Sequence, residues 1–241
     1  MSTTQAQKKK PLPSNLACLI ETEIPWLHQA TLRQACGWYD ECLHLKDWTD
    51  DLTAELGRRD RFFLLAYLLN RPDMVRPWLY ARVREVEEAP DGYLDLWGRE
   101  MYKSTIITYA GSIQEILKNP EITIGIFSHN RSIAKKFLRQ IKREFEANEV
   151  LKALYPETLW KAPDKESPKW SEEDGLIVRR KTNPGESTIE AWGLVDGQPI
   201  GKHFGLLVFD DVVTDKSVYT PEQITRTTES WELAQFLGAG D

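Results

Sequence analysis

Leu206-Leu207-Val208-Phe209 runs directly into Asp210-Asp211. An uninterrupted apolar run of this length predicts a strand covered on both faces, which calls for a parallel sheet between layers of helix. The two acids then lie at the carboxyl edge of that sheet, where open α/β sheets bind ligands. A second run, Ile122-Thr123-Ile124-Gly125-Ile126-Phe127, is β-branched and reads as another buried strand. After it, Ser128 and Asn130 can cap a helix reaching about Val150, with Ala134, Phe137, Leu138, Ile141 and Phe145 as its apolar stripe. Strands alternating with helices predict an α/β fold with a mainly parallel sheet. With 241 residues, 41% hydrophobic and 28% charged, the chain can bury one large domain, or one domain and a small appendage.

Residues 1–14 are polar, basic and punctuated by proline, and read as a disordered tail. Residues 15–90 read as a small helical N-terminal subdomain, in which Phe62, Leu65, Ala66 and Leu69 recur at helical spacing. Pro25, Pro72 and Pro77 divide it into short helices, and Trp26, Trp38, Trp48 and Trp78 read as packing residues. The longest apolar run, residues 62–69, is too short to span a bilayer, and no apolar stretch follows Lys8-Lys9-Lys10 as a signal peptide requires. Three cysteines, Cys18, Cys36 and Cys42, fit a reducing compartment. A zinc set of His28, Cys36, Cys42 and His44 lacks any CxxC pair, and buried thiols are the plainer reading.

Residues 91–241 carry the ligand chemistry. Residues 93–97 read as a short strand, followed by Gly98-Arg99-Glu100-Met101-Tyr102-Lys103-Ser104-Thr105 and a helix with Ile106, Ala110, Ile113 and Leu117 on one face. A triphosphate needs backbone N–H donors, a helix N-terminus and a mobile cation. Lys103 would reach the β- and γ-phosphates, and Ser104 would ligate Mg²⁺. The match to GxxxxGK[ST] is imperfect: Gly98 falls one place late and Tyr102 stands where the second glycine belongs. An ordinary strand, turn and helix with an exposed lysine is the competing reading. Asp210 would hold Mg²⁺ through its water shell, and Asp211 would polarise the attacking water. Downstream, residues 156–175 read as a polar loop, residues 176–181 and 187–192 as a hairpin around Asn183-Pro184-Gly185, and Thr220-Pro221-Glu222-Gln223 as the start of the last helix.

From about Arg59 to Asp241 the chain resembles the large terminase subunit of tailed bacteriophages. The likeness rests on Arg99-x-x-x-Lys103-Ser104, residues 124–145, Lys169-Trp170, residues 176–179 and 187–193, Gly201-Lys202-His203, and Leu207-Val208-Phe209-Asp210-Asp211-Val212-Val213. The resemblance implies an ASCE/RecA-like P-loop NTPase that binds ATP and Mg²⁺ and drives double-stranded DNA into a procapsid. Its phosphate loop would comprise Gly98, Arg99, Tyr102, Lys103, Ser104 and Thr105, its metal site Ser104 and Asp210, and its catalytic groups Arg99, Lys103 and Asp211. Implied partners are DNA, a portal protein, a small terminase subunit and further copies in a ring, in the host cytoplasm. The family's C-terminal nuclease and the coupling strand expected after the last helix are not in these 241 residues, so the chain reads as an ATPase portion of a longer protein or a truncated relative. Family members often carry Glu where Asp211 stands.

Alternatives stay open on the residues alone. They are a helicase-like P-loop ATPase, or a degenerate P-loop module that binds without hydrolysing. A nuclease built on Asp210 and Asp211 alone is disfavoured, because adjacent strand residues point to opposite faces. Arg99 reads as a cis arginine at the γ-phosphate or as a surface residue; Arg179, Arg180 and Lys202 are undiscriminated choices for an arginine finger. Arg131, Lys135, Arg139 and Lys142 form a basic stripe that reads either as a face for DNA or a neighbouring subunit, or as a solvated helix face.

Overall fold

The computed structural model describes residues 16–238; the expected N-terminal tail lies outside them. Helices come first: α1 (Leu16–Leu27), α2 (Leu32–Leu43), α3 (Asp50–Arg59), α4 (Arg61–Phe63, continuing as a π-helix through Leu64–Leu68) and α5 (Pro77–Glu88). Thr31 and Thr49 cap α2 and α3 through their side chains. Pro25 lies inside α1 rather than between helices. Phe62, Phe63, Leu64 and Leu65 are all fully buried, so the apolar run is enclosed on every side rather than striped. Trp38 is buried and Trp48 packs against the core, but Trp26 and Trp78 are exposed.

Next come a π-helix over Thr105–Gly111 that continues as α6 (Ser112–Lys118), strand β1 (Ile124–Ser128), α7 (Arg131–Ala147), α8 (Glu149–Leu154) and α9 (Pro163–Glu166). Strands β2 (Trp170–Ser171), β3 (Gly175–Leu176), β4 (Ile189–Gly193) and β5 (Leu206–Phe209) precede α10 (Pro221–Gln235). The sheet order is β2-β3-β4-β1-β5, with β1 parallel to both β4 and β5 and the β2–β3 hairpin antiparallel at one edge. The fold is thus mixed α/β with a parallel centre. Gly125 in β1 cannot carry a side chain, because a Cβ would come within 2.8 Å of the Phe127 ring and 2.9 Å of the Phe204 ring.

The helix stripes are as expected: Ile106, Ala110, Ile113 and Leu117 are buried, as are Ala134, Leu138, Ile141 and Phe145, with Phe137 partly so. Asn130 caps α7, whereas the Ser128 hydroxyl bonds the Asp210 carbonyl instead. Thr220, Pro221 and Gln223 form the expected capping box at α10. One core runs unbroken from Ile20 to Val208, joining the helical segment to the sheet.

Residues 93–97 are not a strand. A strand needs a neighbour to take its N–H and C=O groups, and β5's outer side meets backbone only where Gly238 bridges Phe204, among the described residues. Leu94 and Leu96 are 72% and 83% exposed, while Arg82 pins the segment by bonding Asp95 at 2.6 Å and stacking 3.4 Å over Trp97. The predicted hairpin is shortened, since Leu176 alone pairs with Ile189. The predicted polar loop instead closes the tight β2–β3 hairpin, with Glu172 and Glu173 in its turn.

That turn explains the basic stripe. Arg131 donates to the Glu173 carbonyl at 2.6 Å, Lys135 pairs with the Glu173 carboxylate, and Arg139 grips Glu172 through two bonds of 2.6 Å. Lys142 pairs with Glu146. The stripe clamps the hairpin to α7, and its charge is largely matched.

Candidate functional site

Three segments meet at the carboxyl ends of β1 and β5: the loop over residues 98–102, the first turns of the helix that follows it, and Asp210-Asp211. In the loop, φ is +64° at Glu100 and +65° at Tyr102, while the residues between and after them keep negative φ. Alternation of this kind turns successive N–H groups toward one concavity, the nest geometry that holds anions. Lys103 and Ser104 open the helix at the lip of that concavity. Tyr102 therefore adopts the left-handed conformation that a second glycine would supply, rather than a negative φ. Its ring is held by an edge-on contact with Trp78, 6.2 Å between centroids.

The acidic pair does not follow strand alternation. β5 ends at Phe209, and Asp211 has φ +51°, a left-handed turn that Asp and Asn tolerate better than other side chains. Both carboxylates consequently reach the same helix. Asp210, 6% exposed, accepts from the Thr108 hydroxyl at 2.7 Å, and Asp211 accepts from the Lys103 ammonium at 2.9 Å. The backbone fixes this turn: Asp210 N–H donates to the Phe127 carbonyl at 2.9 Å, and His129 N–H donates to the Asp211 carbonyl at 3.2 Å. The opposite-face argument against a two-acid site is thereby corrected, although among the described residues no third ligating side chain joins the pair.

Donating a hydrogen bond to Asp211 raises the Lys103 pKa, against a smaller effect of burial, so the ammonium stays charged. The residues suit a divalent cation held with a phosphate ligand. Thr108 engages one oxygen of Asp210 and leaves the other without a protein donor, and the partly buried Ser104 hydroxyl makes no hydrogen bond among the described residues. Hard cations of the Mg²⁺ type keep waters and bind through few carboxylates plus phosphate oxygens.

Among the described residues, the other predicted site residues make no hydrogen bond to Lys103, Thr108, Asp210 or Asp211. Gly98 and Arg99 are exposed, and Arg99 has no hydrogen bond or ion pair among the described residues. Thr105 is half-buried where the π-helical stretch begins. Arg179 donates to the Pro156 carbonyl at 2.7 Å, Arg180 to the Glu186 carbonyl at 2.9 Å, and Lys202 to Glu190 at 2.6 Å, so all three are engaged within the chain. The proposed zinc residues do not converge: His28 bonds Glu88, His44 bonds the Asp40 carbonyl, and burial pushes the Cys42 thiol up to about 12. The sequence reading missed Thr108. Its signal is a polar residue four places after Ser104, on the same side of the helix as Ser104 and opposite the stripe of Ile106 and Ala110.

Left-handed φ costs a non-glycine residue about 1–2 kcal/mol. Glu100 is exposed and touches nothing that its loss would unpack. Glu100→Gly is therefore expected to stabilise the chain by about 0.5–1 kcal/mol after the extra unfolded-state entropy of glycine is subtracted. Thermal melts check this; a lower Tm would contradict the strained loop.

Comparison with known proteins finds no matching family model and no matching curated protein.

Proposed function

We propose that the chain is a P-loop NTPase which binds Mg²⁺·ATP at this sheet edge and hydrolyses it, as the ATPase portion of a phage terminase large subunit. One observation carries the reading: Lys103 and Thr108, one helical turn apart, contact Asp211 and Asp210 from more than 100 residues away. On this reading the lysine for phosphate and the acid for metal are tied to one turn, through Asp211 and Asp210. The nest and helix N-terminus would take the phosphates, and Lys103 would move from Asp211 to a phosphate oxygen. Asp210, fixed by Thr108, would hold the metal's waters, and Asp211, released by Lys103, would accept a proton from the attacking water. Mg²⁺ supplies charge neutralisation for the phosphates when bound.

The order of motifs supports the terminase assignment, with double-stranded DNA, a portal protein, a small subunit and further copies as partners in the host cytoplasm. Among the described residues no helix is long and apolar enough to cross a membrane. The rival reading, a module that binds nucleotide without hydrolysing it, draws on Asp211, which stands one methylene short of the glutamate common in the family.

Lys103→Ala is expected to weaken Mg²⁺·ATP binding by about 30- to 100-fold, the loss of a charge-assisted phosphate contact of about 2–3 kcal/mol. Titration with a fluorescent ATP analogue measures it. Unchanged affinity, with circular dichroism also unchanged, would remove the phosphate-loop assignment.

A further inference from the structure

On the far side of the helix that carries Lys103 lies an open groove of about 540 Å³, with Arg71, Lys136, Arg139, Gln140 and Arg143 in its walls and Tyr109 at its base. It adjoins the stripe clamped to the hairpin and shares Arg139 with it. Arg71 is gripped by Asp73 through bonds of 2.9 and 2.7 Å, and Arg139 by Glu172. Lys136 and Arg143 are exposed and have no hydrogen bond or ion pair among the described residues. The groove's own acid, Glu144, is occupied by the Tyr109 hydroxyl at 2.6 Å and the Asn148 amide at 2.6 Å. In a chain of net charge −6, four cations around one groove with two uncommitted are a local reversal of sign.

The arrangement selects among anions. A single phosphate is held by donors converging on one point. Here Lys136, Gln140 and Arg143 follow one another along a helix face, and the two free cations, seven residues apart, are separated by about 10 Å along the axis. Such a row matches charges repeated along a strand, as in the phosphodiester backbone. Arg71, Arg139, Gln140 and Arg143 are side chains that donate to phosphate oxygens.

We propose that this groove binds the phosphate backbone of duplex DNA, with Lys136 and Arg143 as the principal contacts. The proposal deepens the DNA-motor reading above and rests on it for the choice of duplex. It also gives bound DNA a short path to the nucleotide site: Tyr109 reaches the groove through Glu144, and the adjacent Thr108 holds Asp210.

The test is fluorescence anisotropy of a labelled 30-base-pair duplex across a salt series. It compares the wild-type chain, the Lys136→Gln, Arg143→Gln double variant, and a Lys135→Gln, Lys142→Gln control in the carboxylate-paired stripe. ATP-analogue binding is measured on the same samples. The groove variant is expected to lose about tenfold in affinity and to lower the slope of log K against log salt by about two, one unit per phosphate contact. The control should stay within about twofold of wild type, because its cations are already neutralised. Equal loss in both variants, or no loss in the groove variant, overturns the proposal. So does an absence of duplex binding at low salt, including the case where polyglutamate binds instead and marks an acidic protein partner. Groove-dependent DNA binding in a chain that fails to bind nucleotide would uphold the groove and remove the ATPase reading.

Discussion

Asp60→Ala should destabilise the chain by about 3–5 kcal/mol, the range for stripping one partner from a buried ion pair. Asp60 is fully buried between α3 and α4. It accepts from the Tyr39 hydroxyl at 2.6 Å, from the Phe63 N–H at 2.9 Å, and through both oxygens from Arg84 at 2.9 Å. Arg84 also bonds Glu87 at 2.8 Å and lies over the Tyr80 ring. Burial lowers the Arg84 pKa, but Asp60, Tyr39 and Glu87 outweigh it and hold the guanidinium above its ordinary value. Glu87 is shifted upward, by burial first and then by the Asp60 charge. Removing Asp60 leaves a 4% exposed guanidinium with one carboxylate and an already unpartnered Nε. Its effect should reach the helix that follows Lys103, because Arg61, beside Asp60, bonds Gln114 in α6 at 2.9 Å. A urea midpoint lower by about 1–2 M is the expected readout. Asp60→Leu combined with Arg84→Met should recover much of the loss, since an apolar pair needs no charge partner. A loss below about 1 kcal/mol in Asp60→Ala would mean that the network is not a keystone of the helical segment.

What the sequence made legible was periodic or locally capped. The face of Ile106, Ala110, Ile113 and Leu117, the Asn130 and Thr220 caps, and the strands ending at Ser128 and Phe209 each follow from spacing or from one side chain acting within three residues. That Lys103 and Asp210-Asp211 come together was also foreshadowed by residue type, because a strand end and a helix start are notable places to leave charge. Features that depend on distant partners were not. Residues 93–97 have strand-like residues but are held against α5, where Arg82 bonds Asp95 and stacks over Trp97. The 170–176 hairpin is fixed by what its turn meets, Arg131, Lys135 and Arg139. The same long-range pairing hid which cations of α7 are free. Left-handed φ at Glu100, Tyr102 and Asp211 was invisible because none is glycine, the one residue that signals that conformation in a sequence. Two of these three strained positions lie in the loop before Lys103 and the third is the acid that Lys103 meets, so strain collects at the candidate site.

Asp211→Asn should stop ATP turnover while leaving nucleotide binding intact or a few-fold tighter. Asparagine accepts φ +51° as readily as aspartate, so the turn that aims both side chains at the helix survives the change. Asp210 keeps its bond from Thr108, and the metal side of the site is undisturbed. Binding gains because Lys103 no longer has to leave a carboxylate 2.9 Å away before it meets a phosphate; that pair is 30% and 53% exposed, which limits its worth to about 1 kcal/mol or less. Turnover falls because the amide cannot take a proton from water, and removing a positioned base costs about 10²–10⁴-fold. Asp211→Glu provides the contrasting case. It lengthens the side chain by one methylene toward the water but places a residue that disfavours left-handed φ at a strained turn, with a penalty of about 1–2 kcal/mol. The longer acid should therefore retain turnover at a lower melting temperature, whereas Asn should retain stability and lose turnover. Phosphate release under single-turnover conditions, beside analogue binding and thermal melts, separates the three proteins. Full hydrolysis by Asp211→Asn would transfer the base to another group, and tight binding with no hydrolysis in all three would favour the non-hydrolysing module.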